Sequence, residues 1–276
     1  MITAVAGVLS GCSRQAEAQP VDDMEAFLER YSEEPDMEEM FDNFLDRLLE
    51  QAELPEDVAA GVRLAAAEGP AFIMDLLMVL TGEPALRALV DKQHPLPDGY
   101  APDDLVRLEG SAGGASYTIS RGDLMLRRAA GTALEEMAAA ARTGGVTLMA
   151  SSAYRSYDYQ VTVYNRNVAE MGREVADRES ARPGYSQHQT GLVVDFGSIT
   201  DEFAGTSAGR WMAANAGRFG WSLSFPDGYE AVTGYRWESW HYRYVGPVLA
   251  AFIDAYFGGI QQYGLRFIYE WEQAGG

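Results

Sequence analysis

Between Met37 and Leu49 the apolar residues Met37, Met40, Phe41, Phe44, Leu45, Leu48 and Leu49 return at steps of three and four. That spacing puts side chains on one face of an α-helix. Most positions between them are Asp or Glu, so the predicted helix has an apolar stripe on an acidic body. A second helix is predicted after Pro55, and a third over Phe72, Ile73, Leu76, Leu77 and Leu80, stopped by Gly82. Residues 23–91 therefore read as a helical region whose methionine and aromatic stripes form core.

The pattern then changes. HPLPDGYAPDD, residues 94–104, is a proline-punctuated connector, and the His94 inside it reads as an incidental loop residue. Strands are predicted at SYTIS (116–120), VTLMASS (146–152), LVVDF (192–196) and HYRYV (241–245). Helices are predicted over Leu124–Arg142, with Asp123 as N-cap and Gly144-Gly145 as the stop, over Tyr157–Met171 and over Gly209–Phe219. Two amphipathic helices follow from Pro247 and from Gly259. Strands and helices mix without a regular βαβ rhythm, so the fold class is α+β: a small antiparallel sheet flanked by helices, after a helical N-terminal region.

Charge narrows the partners. The 276 residues carry 41 Asp and Glu against 21 Lys and Arg, a net charge of -20. No basic face can be assembled from that balance, which excludes nucleic acid as a partner. Residues 21–60 are the most acidic stretch, with Arg30 and Arg47 as their only cations. That stretch reads as a solvated, self-repelling surface. Cys12 is the single cysteine, so no internal disulfide forms. It ends the apolar run MITAVAGVLSGC, and Leu9-Ser10-Gly11-Cys12 resembles a bacterial lipobox, in which the cysteine carries lipid after signal cleavage. A start codon upstream would supply the basic residues that such a signal usually has. Residues 1–22 are thus expected to be a lipoprotein-type signal and spacer. The expected location is extracytoplasmic, and the only membrane contact is a lipid anchor at Cys12.

Candidate chemistry centres on the three histidines. In YSQHQTGLVVDF, Gly191 turns the chain between His188 and the strand that carries Asp195, so imidazole and carboxylate can meet. A structural His–Asp pair would look the same. The third histidine, in YRWESWHYRYVG, adds a donor: a turn at Glu238 leading into the strand can aim Glu238 and His241 at one cavity. Two histidines and one aspartate make a nitrogen and oxygen donor set that suits Zn²⁺ and leaves a fourth position open. A carboxylate beside such a site that does not bind metal can take a proton from the attacking water and pass it to a leaving amine. Glu238 fits that role.

The order S-x-H-x-x-G-x-x-x-D and then E-x-W-H resembles the VanY-type zinc D-alanyl-D-alanine carboxypeptidases, whose fold is shared with lysostaphin-like peptidases and the hedgehog signalling domain. PLPDGYAPDDLV, SAYRSYDYQ, NAGRFGW and TGYRWESWHYRYVG look like family segments in the family's order, and together they cover about residues 90–258. The resemblance implies His188, Asp195 and His241 as Zn²⁺ ligands and Glu238 as catalytic base. It implies Arg155 as the group that steadies the oxyanion. It further implies Ser186 as a contact for the substrate's terminal carboxylate, Gln160 as a residue lining the peptide cleft, and Trp240 as packing beside the zinc. Residues 92–276 become a zinc carboxypeptidase domain and residues 23–91 an acidic helical region outside it.

Three departures bear on specificity. Val193 replaces a common alanine two residues before the aspartate, which would narrow the site. Ser239 replaces a common proline and would loosen the turn at Glu238. SLSFPDGYE lacks a basic residue often found before its proline. The resemblance implies removal of the terminal D-alanine from peptidoglycan stem peptides, with the stem peptide as partner and the acidic region lying away from the cleft. On the same site an L,D-carboxypeptidase, a D-Ala-D-Ala dipeptidase or a peptidoglycan endopeptidase would also fit. A zinc-containing binding module without catalysis is the alternative of another class; the presence of both Glu238 and Arg155 favours an enzyme.

Overall fold

A computed structural model describes residues 35–275, and Cys12 with its lipobox-like segment lies outside them. Five short strands form the central sheet, in the spatial order β2 (Thr118–Ile119), β4 (Met149–Ser152), β5 (Val193–Phe196), β7 (His241–Tyr244) and β6 (Trp221–Leu223). Every pairing in it is antiparallel except that of β2 with β4. β1 (Leu105–Arg107) and β3 (Met125–Arg127) make a separate antiparallel pair.

Side chains alternate across a strand, and the register decides which meet. Asp195 pairs with His241, Val194 with Tyr242 and Val193 with Arg243. Val194, Phe196, Tyr242 and Trp221 enter an apolar core, while Asp195, His241 and Arg243 share the opposite, polar face. The apolar face is covered by α5 (Arg128–Thr143), which buries Ala130, Ala133, Leu134, Met137, Ala138 and Ala141. Its alanines leave room for close approach to the sheet.

This helix starts four residues later than predicted. Met125–Arg127 pairs with β1 and buries Leu126, so cross-strand hydrogen bonding takes the segment that helix propensity would have extended. Asp123 caps nothing and instead forms an ion pair with Arg121 at 2.8 Å. Helix α6 (Tyr157–Met171) has the predicted bounds, and Ser156 Oγ caps it by accepting the Tyr159 N–H at 3.2 Å. The helix predicted over Gly209–Phe219 divides into α8 (Ser207–Asn215), capped by Thr206, and a 3-10 turn at Ala216–Phe219.

A helical layer forms the second core. α1 (Pro35–Gln51), α2 (Glu56–Ala67) and α3 (Ala71–Thr81) pack with α10 (Pro247–Tyr256) and α11 (Gln261–Gly275) from the other end of the chain. Leu45, Leu48 and Leu49 of the apolar stripe are buried, whereas Met40 is exposed. Phe72 is fully buried among Phe252, Tyr256 and Phe267, with ring centroids 5.0–6.0 Å apart. Burial of one such side chain contributes about 1.5–3 kcal/mol. No single helix among the described residues is long and apolar enough to cross a membrane.

Residues 85–100 link this layer to the polar face of the sheet through buried side chains. Arg243, fully buried, donates from Nη2 to the carbonyls of Ala85, Leu86 and Ala88 at 3.4, 3.2 and 2.8 Å. Gln187 donates to Val90 O at 3.4 Å, Gln189 to Tyr100 O at 2.9 Å and Gln262 to the Asp91 carboxylate at 2.6 Å. His94 Nδ1 lies 2.8 Å from the same carboxylate, so this histidine braces the connector.

Candidate active site

His188 sits on a 3-10 turn, Gln187–Thr190, that ends at Gly191 with φ of 71°. A side chain at Gly191 would meet Arg127 Cγ at 2.9 Å and Leu105 Cδ2 at 3.0 Å, so both conformation and space require glycine there. The turn brings His188 over β5, where Nε2 lies 3.2 Å from Asp195 Oδ2. Across the sheet His241 Nδ1 lies 3.1 Å from Asp195 Oδ1. The ligand atoms of His188, Asp195 and His241 all fall within 4.8 Å of one another, and all three residues are buried.

The backbone and one amide fix the two imidazoles. His188 Nδ1 lies 2.7 Å from Ala153 O, so its N–H donates there and leaves the Nε2 lone pair facing Asp195. His241 has the reverse arrangement. Its Nε2 lies 3.4 Å from Gln187 Oε1, which directs Nδ1 toward Asp195 and Glu238. Asp195 Oδ1 is buried and accepts no hydrogen bond, despite the short approach of His241. A buried carboxylate oxygen without a donor is costly, and a cation bound there removes the cost. Two imidazole nitrogens directed inward and one such oxygen are the donors a zinc ion takes. The residues present fit Zn²⁺.

The two histidines shift in opposite directions. Burial and the Arg155 charge push His188 down to about 4, so it is neutral and ready to ligate at pH 7. Burial opposes charge on His241 too, but the Asp195 and Glu238 carboxylates beside it outweigh that and raise the ring to about 9. For Asp195 burial works against ionisation, yet His188 and His241 hold its carboxyl well below the usual range.

Glu238 Oε2 lies 3.4 Å from His241 Nδ1, so the carboxylate stands beside a ligand atom without belonging to the cluster of three. Its position comes from the turn. Glu238 N–H donates to Phe225 O at 3.0 Å, and His241 N–H returns to Glu238 O at 3.1 Å. The turn is therefore closed with Ser239 in place of proline, and no loosening is seen.

These groups open onto a cleft of about 380 Å³. Arg155, Ser186 and Trp240 line it with the candidate ligands and Glu238. Arg155 donates from Nη2 to Asp195 Oδ2 at 3.0 Å and to Ser152 Oγ at 3.0 Å. Trp240 is largely buried, and the Arg236 guanidinium lies 5.3 Å from its ring centre. Gln160 does not line the cleft. It faces inward on α6, where Nε2 donates to Ala181 O at 2.7 Å, and so it supports the wall at Ser180 and Ala181 from behind. Val193 is fully buried in β5 and does not reach the cleft, so it does not narrow it directly. Among the described residues, none of α1 or α2 lines the cleft.

Several contributors were not singled out from sequence: the Ala153 carbonyl, Gln187, Ser152, and the α6 residues Tyr159, Val163, Arg166 and Asn167. A signal existed only for the last group, whose spacing marks one helix face.

Residues 123–247 match the VanY family, D-alanyl-D-alanine carboxypeptidase. The chain is 36% identical over 187 residues to YodJ of Bacillus subtilis, covering 66% of this chain and 67% of that protein. Among solved structures, the LdcB LD-carboxypeptidase is 34% identical with a TM-score of 0.55, over 63% of this chain and 86% of that one. A vancomycin resistance D,D-pentapeptidase VanY from a VanB-type cassette, a mutant in complex with Zn(II), is 30% identical with a TM-score of 0.53, over 64% and 96% of the two chains.

Proposed function

This chain belongs to the VanY family and is an enzyme of the D-alanyl-D-alanine carboxypeptidase type, and on that premise we propose that it is a Zn²⁺-dependent peptidase that removes the C-terminal D-alanine from peptidoglycan stem peptides. The observation that carries this reading is the Glu238 carboxylate 3.4 Å from a candidate ligand nitrogen of the buried His188, Asp195 and His241 cluster, at a cleft of about 380 Å³.

His188 Nε2, His241 Nδ1 and an Asp195 carboxylate oxygen would hold the metal. When bound, it supplies Lewis acidity for the scissile carbonyl and for water. Glu238 takes a proton from the water that attacks the carbonyl carbon and delivers it to the nitrogen of the departing D-alanine. The peptide C–N bond breaks, one carboxylate forms on the shortened peptide, and Glu238 regains its starting state. Arg155 engages Asp195 and Ser152 through Nε and Nη2, leaving Nη1 for the oxygen on which negative charge develops. Ser186 lines the same cleft and offers a hydroxyl to the substrate's terminal carboxylate. The Leu9–Cys12 segment supports a place at the cell envelope, where such a substrate occurs.

A second reading is favoured by the likeness to the LdcB LD-carboxypeptidase: the same groups would then release D-alanine from a tetrapeptide. Incubation with pentapeptide and tetrapeptide muropeptides, followed by mass spectrometry, separates the two. Loss of one alanine from the pentapeptide alone supports the D,D reading, and loss from the tetrapeptide alone overturns it.

A further inference from the structure

Helix α6 lends the cleft one face: Tyr159, Val163, Arg166 and Asn167 all line it, at i, i+4, i+7 and i+8. Arg121 reaches this face from the loop between β2 and β3, with Nη1 3.3 Å from the Tyr159 hydroxyl and its guanidinium 5.7 Å from that ring's centre. Arg155, Arg121, Arg166 and Arg236 make the cleft cationic in a chain of net charge -20.

The anions of the cleft are already engaged. Glu179 faces Arg236 at 3.4 Å, Asp195 faces Arg155 and both histidines, and Glu238 faces His241. Arg166 is exposed, and its side chain has no ion pair or hydrogen bond among the described residues. With about two acids for every base in the sequence, a cleft arginine left without a partner is a charge available to a ligand. The Tyr159 phenol reports the same field: the Arg121 hydrogen bond first, and then the charges of Arg121, Arg155 and Arg166, draw its pKa down against burial.

Position along the helix says which part of a substrate meets this charge. α6 begins two residues after Arg155, which contacts Asp195, and Arg166 stands about 10 Å along the helix axis from Tyr159. A single leaving residue spans only about 3.5 Å. Arg166 thus lies more than two helical turns beyond the end of α6 that adjoins Arg155, a separation matched by the several residues on the acyl side of the scissile bond rather than by the one leaving residue.

We propose that Arg166, on the α6 face that lines the cleft, is a subsite for a free carboxylate on the acyl side of the stem peptide, so that peptides with an unamidated glutamate or diaminopimelate carboxyl are preferred. The subsite rests on the carboxypeptidase reading above. Charge-assisted bonds to a guanidinium favour the free carboxylate by about tenfold in kcat/KM, and added salt shrinks the preference.

The test uses two matched pairs of pentapeptides, isoglutamate against isoglutamine and diaminopimelate against lysine, with D-alanine release as readout. Wild type should favour the free carboxylate in at least one pair, and the pair identifies the group. Arg166→Gln should bring the ratio close to one, while Arg142→Gln, an unpaired surface arginine outside the cleft, should keep it. Calorimetric binding of the same peptides to Glu238→Ala decides the subsite even if no peptide is hydrolysed. Equal use and equal binding of both members of each pair, or a preference that survives Arg166→Gln, overturns the proposal.

Discussion

Gln187 stands behind His241. Its Oε1 lies 3.4 Å from His241 Nε2 and 2.8 Å from Ser224 Oγ, so one amide oxygen collects two donors and turns the far side of the imidazole, Nδ1, toward Asp195. The amide is itself held, since its Nε2 donates to Val90 O at 3.4 Å. Removing the acceptor frees the ring to rotate or to carry its proton on Nδ1. Gln187→Ala should therefore weaken Zn²⁺ binding by about 10- to 100-fold in chelator competition. Gln187→Glu, which keeps an acceptor at that atom, should stay closer to wild type. Equal affinity in Gln187→Ala and wild type would remove the residue from this role.

Zinc uptake should depend on pH through His241. At pH 7 this ring, raised to about 9, carries a proton that a cation at Nδ1 must displace. His188, pushed down to about 4, is neutral over the same range, and Asp195 is ionised. Affinity should rise about tenfold per pH unit from pH 6.5 to about 9 and then level off. Calorimetry in two buffers of different ionisation enthalpy should count about one proton released per metal. The metal-free protein should show the opposite trend in stability. A raised histidine stabilises the fold below its unfolded pKa near 6.5, and that contribution is lost as pH climbs through about 9. A flat affinity profile would mean that His241 is not the protonated ligand.

Base and ligand should separate on mutation. Glu238 lies beside the cluster, so Glu238→Ala should retain about one zinc per chain while D-alanine release falls by roughly 10²-fold or more. His188→Ala should lose the metal along with activity, because no other described histidine is near enough to replace it. Elemental analysis beside a muropeptide assay distinguishes the two. Hydrolysis retained in Glu238→Ala would exclude it as base.

The two histidines and the aspartate were legible because metal chemistry restricts donor types, and the chain holds only three histidines. Their register was not. Whether Asp195 meets His241 or its neighbour depends on strand pairing across 46 residues, which local pattern does not encode. Gln160 shows a related limit. A polar residue on a helix beside a cleft can face the cavity or brace the wall, and only the packing of α6 turned it toward Ala181. The start of α5 was misplaced because Met125–Arg127 is claimed by a partner strand some twenty residues earlier. In the helical layer the apolar stripe of α1 predicted burial, but not that its partners lie at the far end of the chain.

That pairing makes the last prediction. Phe72 is fully buried against Phe252, Tyr256 and Phe267, so the N-terminal helices are fastened to α10 and α11 by apolar contact. The same layer reaches the metal-ligand cluster through buried polar contacts to Gln187, from the Val90 carbonyl and from Gln261 by way of Ser224, with Gln187 itself 3.4 Å from His241. Phe72→Ala removes a large ring from a closed core and should cost about 3–5 kcal/mol in urea unfolding, lowering Tm by roughly 10 °C. Zinc content and kcat/KM measured well below that Tm should stay near wild type, because no atom of Phe72 approaches the cleft. Loss of metal at a temperature where the circular dichroism is native would show instead that the helical layer sets the geometry of the site as well as its stability.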